Sequence, residues 1–464
     1  MMMDKLEKII NSIELKKGDF VDIRLQKGSG ILITIQNGRP EQINYEVEKG
    51  VGVRALIDGG WGFVSTVGFS LDDIEKTLKK AMKIAAATAK KTQDKGIMPE
   101  DYVVEGKYVA EFKINPQDIS IEEKYKFVEE SEKVIREYSD KIVSTNSSMK
   151  QWLQKEIIIN TLGTKVETEY GNLNIASMAT SREGDIMQNV YSALGTTNGW
   201  EEITKLNVIE SGTKLAQRAI ELLEAKIPPS GKADIVMDPS LVGVYVHESF
   251  GHAEEADSVL AKDSILEGKM GEKIGSELIN IYDDPTIKGL RGSYCYDSEG
   301  TKTCKRQLVK EGMQVGYLHS LETATKMGTQ PNGAARAMNF NSQPAVRMGN
   351  TYIDVGNYTF EELLEEIKNG VYLENSYGGY VDTAKGEFYF TTQGGYIVKN
   401  GELADPIQNV SMSGLCLEVL QRTIAVGKDL RFDFPGSCGK LAQWIPVHAG
   451  GPPIAVRDIV IGGQ

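Results

Sequence analysis

The sequence predicts an α+β fold: an N-terminal α/β domain with antiparallel strands and long helices, followed by a C-terminal β-rich domain. In the first half, alternating apolar and polar residues flank a tight-turn signal at Asn37-Gly38 and give way to long amphipathic runs. In the second half, short strand-like runs recur between glycine turns, and helical patterns are few. The strongest break, rich in proline and glycine, lies at residues 227–231. We therefore predict domains at 1–226 and 227–464.

The N-terminal domain is predicted to combine long helices with antiparallel strands. Its predicted helices are Leu6–Ile13, Leu71–Thr92, Ile121–Tyr138 and Ser211–Lys226. Its strand-like segments are Phe20–Leu25, Gly30–Ile35, Gln42–Val47, Val51–Leu56, Gly59–Thr66 and alternating runs within Ile142–Met178. Ser70 stands before the second helix, where a serine side chain can accept a hydrogen bond from a free backbone N–H. We find no catalytic motif in this half of the sequence.

The C-terminal domain begins with a predicted strand, Ala233–Met237, and a well-marked helix start. Asp238 is suited to cap that helix, and Pro239 to occupy its first position. We predict that the helix continues from Ser240 to Asp257. The other predicted elements are helices at Thr359–Asn369 and Ser413–Val426 and strands at Glu387–Thr392 and Gly395–Lys399, the latter before an Asn400-Gly401 turn.

The composition excludes several classes of protein. The chain has 464 residues, with 52 Lys+Arg against 65 Asp+Glu and a formal net charge of −13. This balance argues against non-specific nucleic-acid binding, which needs a cationic surface. No apolar run is long enough to span a bilayer, the N-terminal residues lack an apolar signal core, and four irregularly spaced cysteines do not form a disulfide scaffold. We therefore expect a cytoplasmic protein with neither membrane nor nucleic acid as a partner.

Residues 247–252, His-Glu-Ser-Phe-Gly-His, form a candidate catalytic metal site on the predicted helix. Two of the four histidines of the protein lie here, and a glutamate follows the first. Neutral imidazoles bind zinc, and the carboxylate of Glu248 can accept a proton from a metal-bound water. The pattern is one residue longer than the common H-E-x-x-H signature. The alternative is that His247 and His252 are core residues whose ring nitrogens are hydrogen-bonded within the fold.

The spacing of the two histidines does not suit a regular α-helix around one ion. Successive side chains advance by about 100°, so residues five apart differ by about 140° around the axis. One π-bulge, with its i→i+5 hydrogen bond, brings such a pair back into line, and these bulges favour functional sites. Gly251 is the residue at which the backbone yields most easily. We therefore predict a helix that is distorted between His247 and His252.

A catalytic zinc usually has three protein ligands and a water, and the motif supplies two of them. The candidates for the third ligand are Glu254, Glu255, Asp257, His319, His448 and the four cysteines. Cys438 lies in a glycine-flanked turn where Lys440 would favour the thiolate, but an inert buried thiol fits the sequence equally well. Cys295 and Cys304 flank a polar loop, and their spacing matches no standard zinc knuckle.

Several motifs together resemble the TldD/PmbA family of proteases, and the resemblance covers nearly the whole chain. In the first half it consists of Val51–Ala55 and Trp61–Phe63. In the second half it is specific, beginning with H-E-x-x-x-H at 247–252. The further matches are Gly316–Leu318, Asn332–Arg336, Arg347–Ile353, Gly378–Asp382, Cys438–Lys440, Gln443, Pro446–Val447 and Val460–Gly463. His448 and Ala449 depart from a stretch that is usually glycine-rich in the family.

The resemblance implies a zinc metallopeptidase of the active TldD type, since the sister TldE/PmbA type lacks the metal motif. It implies Zn2+ ligands at His247, His252 and Cys438, with Glu248 as the general base. It also implies a dimer, either with a second copy or with a sister TldE/PmbA-type subunit. Such a dimer encloses a cavity that admits unfolded peptides and excludes folded proteins.

The peptide is expected to bind in an extended form as an added strand, because backbone pairing tolerates many sequences. The candidate edges in the C-terminal domain are 347–354 and 377–383. Two other functions are consistent with the residues. One is another zinc amide hydrolase such as a deformylase, although those chains are far shorter. The other is a non-catalytic peptide-binding or scaffold subunit with a structural zinc, which would normally need a fourth protein ligand.

Overall fold

The computed structural model describes residues 2–463, and it confirms the predicted α+β class. A seven-stranded sheet forms the N-terminal half, and its strands are β1 Phe20–Gln36, β2 Arg39–Ile57, β3 Gly60–Thr66, β4 Glu105–Val109, β5 Ile142–Asn160, β6 Lys165–Glu183 and β7 Ile186–Thr196. The order is β3-β2-β1-β5-β6-β4, and β7 also pairs with β6. All neighbours are antiparallel except β4 and β6.

Pairs of short predicted strands are single long strands in the structure. β1 covers both Phe20–Leu25 and Gly30–Ile35 and pairs with β5 along its length. Gly28 and Gly30 lie inside β1 because the ring of Trp152 packs over them. A Cβ on either glycine would lie 2.5 Å from an atom of that ring. Glycines that resemble turn residues in the sequence are therefore needed here for packing.

Five helices accompany the N-terminal sheet: α1 Met2–Asn11, α2 Leu71–Thr88, α3 Ile121–Arg136, α4 Trp200–Ile203 and α5 Val208–Glu224, with a 3-10 turn at Pro116–Asp118. The predicted cap of α2 is confirmed, since Ser70 accepts a hydrogen bond from the backbone N–H of Asp73 at 3.1 Å. Ile74 and Leu78 of α2 are buried against apolar residues of the sheet such as Val53. The helices therefore cover the apolar face that the strand alternation predicts.

The C-terminal half contains two larger sheets and two small ribbons. The nine-stranded sheet contains β8 Gly231–Met237, β15 Gly370–Leu373, β16 Ser376–Asp382, β17 Glu387–Thr392, β18 Gly395–Lys399, β19 Glu402–Ile407, β20 Val410–Leu415, β21 Thr423–Val426 and β26 Ile454–Gly463. The six-stranded sheet contains β9 Ile281–Asp283, β10 Arg306–Lys310, β11 Met313–Gln314, β14 Asn350–Ile353, β22 Arg431–Phe434 and β25 His448–Gly451. The ribbons are β12 Ala335–Arg336 with β13 Ala345–Val346, and β23 Ser437–Lys440 with β24 Gln443–Pro446.

The helices of this half are α6 Pro239–Val246, α7 Ala256–Leu260, α8 Leu321–Met327, α9 Phe360–Ile367 and α10 Cys416–Gln421, and a π-helical turn spans His247–Gly251. The α6 helix packs between the two sheets, against β14 and β25 on one side and β16 on the other. None of the helices within residues 2–463 has the length and apolarity needed to cross a membrane.

The predicted helix Ser413–Val426 is wrong over most of its length. Only α10 is helical, and the chain on either side of it is strand. β20 pairs with both β17 and β26, and β21 pairs with β26. Interior strands need apolar residues on both faces, so a continuous apolar run does not distinguish them from a buried helix. Long-range pairing decides the conformation of this segment.

The two candidate peptide-binding edges differ in the structure. The prediction of an edge at 347–354 is wrong, because β14 lies between β9 and β25 and pairs with both. The strand β16, which includes most of 377–383, forms one end of the nine-stranded sheet. Among the described strands it pairs with β17 alone. One of the two edges is therefore free to accept another strand.

A buried ionic network joins the two halves of the protein. Arg54 donates from Nε to Asp22 Oδ2 at 2.8 Å and from Nη2 to Glu299 Oε1 at 2.8 Å, and all three side chains are less than a tenth exposed. The other oxygen of Glu299 accepts from the backbone N–H of Leu321 at 2.7 Å. The boundary predicted after residue 226 falls between α5 and β8. The division into two domains stays a prediction.

Replacement of Arg54 by methionine is expected to reduce the free energy of unfolding by about 3–5 kcal/mol, because Asp22 and Glu299 would stay buried without a cation. Denaturant titration measures this change. Lys76→Met is the matched control, since Lys76 forms an exposed pair with Asp72. Its removal should change stability little. Equal losses in the two variants would contradict a role for the buried network.

Candidate metal centre

The helix that carries the first histidine is anchored at its start, as the sequence predicts. Asp238 Oδ1 accepts a hydrogen bond from the backbone N–H of Leu241 at 2.7 Å, and Pro239 is the first helical residue. Every residue of α6 is buried. The helix therefore brings His247 into the interior of the C-terminal half, where this residue is 1% exposed.

The backbone changes its hydrogen-bonding pattern at the motif, which confirms the predicted distortion. Residues 247–251 form a π-helical turn, and the backbone N–H of His252 donates to the carbonyl of His247 at 3.3 Å. This i→i+5 bond returns the two side chains to the same side of the helix. The centroids of the two imidazole rings lie 5.4 Å apart.

The predicted continuation of this helix to Asp257 is wrong. After the motif, the backbone N–H of Leu318 donates to the carbonyl of Glu254, and the N–H of Ala256 donates to the carbonyl of Leu318. These two bonds replace helical bonds with strand-like pairing. The helix therefore ends directly after the second histidine, and α7 is a separate element.

Gly251 is required by packing beside the π-helical turn. A Cβ at this residue would lie 1.8 Å from the Sδ atom of Met348, which is fully buried. No such contact is possible without a shift of one partner, because protein interiors are close-packed. The absence of a side chain at Gly251 thus lets the methionine hold the turn in place.

Cys438 comes to the site from a separate hairpin formed by β23 and β24. The two residues at its tip, Leu441 and Ala442, have φ values of 52° and 56°. The hairpin places Cys438 Sγ 3.2 Å from His252 Nε2, and the cysteine is 4% exposed. A candidate 186 residues beyond His252 is therefore the one that reaches the motif.

His247, His252 and Cys438 are the one cluster of potential metal ligands found among residues 2–463. One ligand atom from each residue lies within 4.8 Å of the other two. Zinc lies about 2.0–2.3 Å from nitrogen and sulfur ligands, so one ion can contact all three atoms. His247 Nδ1 is buried without a hydrogen-bond partner. Such a nitrogen is costly unless a ligand satisfies it, and this set of donors fits zinc.

The charges in the cluster favour the ligating form of the cysteine. Burial alone would raise the pKa of the Cys438 thiol, but the imidazoles of His247 and His252 lower it to about 5. Burial also opposes a charge on His252, yet Glu255 and Cys438 together raise the pKa of His252 well above its usual value. The thiolate is the form of cysteine that binds metals.

Glu255 supports the second histidine from behind. Its Oε2 atom lies 3.1 Å from His252 Nδ1, which leaves Nε2 directed towards the cluster. Lys440 Nζ contacts the same oxygen at 3.0 Å and Asp257 Oδ1 at 2.7 Å. Lys440 therefore acts on these two carboxylates rather than directly on the thiol of Cys438. Carboxylates that hold the second nitrogen of a metal-binding histidine are a common feature of zinc sites.

Arg347 is a residue that sequence reasoning missed. It is fully buried, donates from Nη2 to the carbonyl of Cys438 at 2.5 Å, and places Nε 3.8 Å from Glu255 Oε1. It connects the Cys438 hairpin to the carboxylate behind His252. The sequence does contain an indication of this role, because Arg347 lies among the apolar residues Ala345, Val346 and Met348. An arginine buried in such a segment needs hydrogen-bonding or charged partners.

Two other candidates for the third ligand are engaged elsewhere. Glu254 is fully buried and accepts from Gln314 Nε2 at 2.6 Å, and burial raises its pKa well above the usual range. His319 Nδ1 lies 3.3 Å from Thr323 Oγ1. Neither residue belongs to the cluster of potential ligands.

The remaining candidates also lie outside the cluster. His448 Nδ1 accepts from the backbone N–H of Arg291 at 3.1 Å, and its Nε2 lies 3.0 Å from the carbonyl oxygen of Phe432. His448 is thus buried within β25 with both ring nitrogens engaged. Cys295 and Cys304 lie outside the helices and strands, and Cys304 is exposed.

Glu248 lies on the open side of the cluster. Its side chain is 30% exposed, and its Oε2 atom lies 3.9 Å from His252 Nε2. The rest of the motif is buried except for His252, whose side chain is 17% exposed. The cluster is therefore accessible on the side of Glu248 and His252.

Sequence models of one protein family match the chain in three consecutive segments. They are domain 1 of the PmbA/TldA metallopeptidases at residues 21–85, the central domain at 114–227 and the C-terminal domain at 230–463. The chain belongs to the PmbA/TldA metallopeptidase family. The family predicted from the sequence motifs is thereby confirmed.

Members of the PmbA/TldA family are similar to this chain over nearly its whole length. A metalloprotease of Methanocaldococcus jannaschii is 38% identical over 450 residues, 97% of each chain. A zinc metalloprotease TldD homolog of Saccharolobus solfataricus is 27% identical over 465 residues, 98% of this chain and 99% of the relative. The crystal structure of TldE from Thermococcus kodakarensis has the same fold, with a TM-score of 0.77 at 17% identity over all of both chains.

Substitution of Gly251 by alanine is expected to lower stability by about 1–3 kcal/mol, the usual cost of overpacking, and to weaken zinc binding. The added methyl group would collide with Met348 Sδ and force the π-helical turn to shift. Competition with a chromophoric chelator measures the zinc affinity. The double variant G251A/M348A removes the collision and should regain affinity. Tight zinc binding by G251A alone would contradict this account of the turn.

Substitution of Glu255 by glutamine is expected to weaken zinc binding about 10- to 100-fold, because His252 would lose the carboxylate that fixes its ring. The same chelator competition measures this change. Asp257→Asn is the matched control, since Asp257 contacts Lys440 but neither histidine. It removes a neighbouring negative charge and should have a much smaller effect. Equal losses in both variants would mean that the charge, not the hydrogen bond, matters.

Proposed function

We propose that this protein is a zinc-dependent peptidase that hydrolyses peptide bonds of unfolded or extended peptides. The observation that carries the proposal is the cluster of His247, His252 and Cys438 beside the accessible carboxylate of Glu248. No fourth protein ligand joins this cluster in the described part of the chain. A structural zinc normally has four protein ligands, so the donor set favours a catalytic site.

In the proposed mechanism, His247, His252 and Cys438 would hold the zinc ion. When bound, zinc would acidify a water molecule and polarise the scissile carbonyl. Glu248 accepts the proton of the attacking water and transfers it to the departing amine. Its partial exposure lets it reach both the water and the substrate. Glu255 and Arg347 take no part in proton transfer and keep His252 and Cys438 in position.

The free edge of β16 supports an extended binding mode for the peptide. This strand packs against both α6 and the π-helical turn that contains His247. A peptide paired with β16 would add one strand to the nine-stranded sheet and pass near the cluster. Backbone pairing is independent of side chains, which suits a peptidase of broad specificity.

We further propose that the active form is a cytoplasmic dimer, formed with a second copy or with a sister TldE/PmbA-type subunit. The intact motif supports the catalytic role for this chain in either assembly. The fold shared with Thermococcus kodakarensis TldE supports a pairing of similar subunits. A cavity between two such subunits would exclude folded proteins and admit unfolded peptides.

The wild-type protein is expected to contain about one zinc per chain and to cleave an unstructured peptide. Chelation should abolish cleavage, and added zinc should restore it. Cys438→Ala should lose zinc and activity together. Glu248→Gln should keep zinc but lose about 100- to 10,000-fold in rate, the usual contribution of a general base. Elemental analysis measures the zinc content, and mass spectrometry of the products measures the rate of peptide cleavage.

Each of the other outcomes identifies a different function. Wild-type activity in Glu248→Gln would refute the proposed base. Formate in place of new amino termini would indicate a deformylase-type hydrolase. Stoichiometric zinc without cleavage, alone and with a sister subunit, would indicate the non-catalytic peptide-binding or scaffold function.

A further inference from the structure

A cavity of about 430 Å³ lies between the N-terminal sheet and the hairpin that carries Cys438. We call it the two-arginine cavity, because Arg291 and Arg336 both line it. Trp152 and Tyr170 of the N-terminal sheet and Tyr294 of the C-terminal half contribute aromatic walls. It thus combines cationic and aromatic side chains from both halves of the protein.

Neither arginine has a carboxylate partner among residues 2–463. Arg336 donates from Nη1 to the carbonyl of Met348 at 2.6 Å, and its guanidinium carbon lies 4.5 Å from the centre of the Tyr294 ring. Arg291 donates from Nε to Asn172 Oδ1 at 3.0 Å and from Nη1 to Ser437 Oγ at 3.1 Å. All these partners are neutral. A buried cation without a counterion is costly, so an anion from outside would be stabilised here.

The absence of a counterion is consistent with the pKa values of the two arginine side chains. Burial lowers the pKa of Arg291 to about 10, and it lowers the pKa of Arg336 below its usual value. Arg54, which is buried but paired with two carboxylates, has a raised pKa despite the opposing effect of burial. The contrast shows which arginines lack a negative partner.

The acidic groups of the cavity wall do not serve as counterions. Glu156 forms an ion pair with Arg24 at 3.4 Å. Asp297 accepts from the backbone N–H groups of Thr301 and Ala335 at 2.8 and 3.0 Å, so its carboxyl group is bound to the backbone and not to either arginine, and burial raises its pKa. Among the other charged residues of the lining, Glu46 and Lys150 are exposed and Glu48 is half-buried, so solvent screens their charges. The inner part of the cavity therefore has an excess of positive charge.

The two-arginine cavity adjoins the metal cluster. Ser437 and Ile445 are part of its lining, and they are the chain neighbour and the cross-strand partner of Cys438. Met348, whose carbonyl binds Arg336, places its sulfur atom against Gly251 of the π-helical turn. The cavity and the proposed zinc site therefore share the hairpin that carries Cys438.

We propose that the two-arginine cavity binds a carboxylate group of the peptide substrate and so contributes to substrate selection. Arg336 provides planar, paired N–H donors that match a carboxylate, and Arg291 adds a second positive charge. The aromatic walls accommodate the apolar part of the residue that bears the carboxylate. The group is either the C-terminal carboxylate of the peptide or an aspartate or glutamate side chain. This inference rests on the proposed peptidase function.

The test uses the zinc-loaded protein and three peptides of one parent sequence that contains a single glutamate: the free acid, the C-terminal amide, and the free acid with glutamine in place of glutamate. The wild type is expected to show a kcat/KM about 10- to 100-fold lower for the peptide that lacks the recognised carboxylate, the range of a charge-assisted hydrogen bond. The peptide that loses activity identifies the source of the carboxylate.

Variants of the protein test whether the preference for a carboxylate peptide arises at the two-arginine cavity. Arg336→Gln should reduce the ratio between the preferred and the disfavoured peptide to near 1, and Arg336→Lys should retain part of it. Arg39→Gln is the matched control, since Arg39 is exposed at the start of β2 and lies outside the lining of the cavity, and it should leave the ratio unchanged. Loss of the preference in Arg39→Gln to the same extent would indicate general electrostatic attraction and overturn the assignment.

Equal cleavage of all three peptides by the wild type overturns this inference and leaves the peptidase function intact. If no peptide is cleaved, the peptidase proposal fails, and binding decides the inference separately. Calorimetry with zinc-loaded Glu248→Gln would then compare the three peptides without turnover. Equal dissociation constants would overturn the inference, and tighter binding of one carboxylate peptide would support it. The wild-type and Glu248→Gln data remain decisive even where Arg336→Gln does not fold.

Discussion

The candidate metal centre depends on one backbone hydrogen bond, from the N–H of His252 to the carbonyl of His247. In a regular α-helix the two imidazoles would diverge by about 140°, and one ion could not contact both. The buried helix α6 fixes the position of the turn, and the sulfur of Met348 occupies the space beside Gly251. Tertiary packing therefore maintains a backbone conformation that is rare on its own.

The charged groups behind the cluster connect the positions of His252 and Cys438. Buried charges of either sign are costly unless they are paired, and here Glu255 and Asp257 face Lys440 and Arg347. Lys440 lies on the same hairpin as the cysteine, and Arg347 binds the cysteine carbonyl. Both cations thus attach the hairpin to the carboxylate that orients His252. A shift of the hairpin would disturb the histidine as well as the thiolate.

Local features of the fold could be predicted from the sequence, whereas contacts between distant segments could not. The cap at Asp238, the helix start and the distorted turn follow from residue spacing alone. Cys438 lies 186 residues beyond His252, and by residue type alone it was one of several candidates for the third ligand. Only the family resemblance distinguished it from the others. The errors at Ser413–Val426 and at the edge 347–354 have the same cause. Which strands are interior is decided by partners elsewhere in the chain.

The N-terminal half contributes a wall to the proposed substrate site. Trp152 reaches the two-arginine cavity because Gly28 and Gly30 leave room for its ring on the neighbouring strand. On the opposite wall, Asp297 lies two residues before Glu299, which the guanidinium of Arg54 holds. The ionic network that joins the two halves therefore also fixes a wall of the cavity. A substitution that loosens the junction between the halves should therefore disturb the proposed substrate site more than the cluster of potential metal ligands.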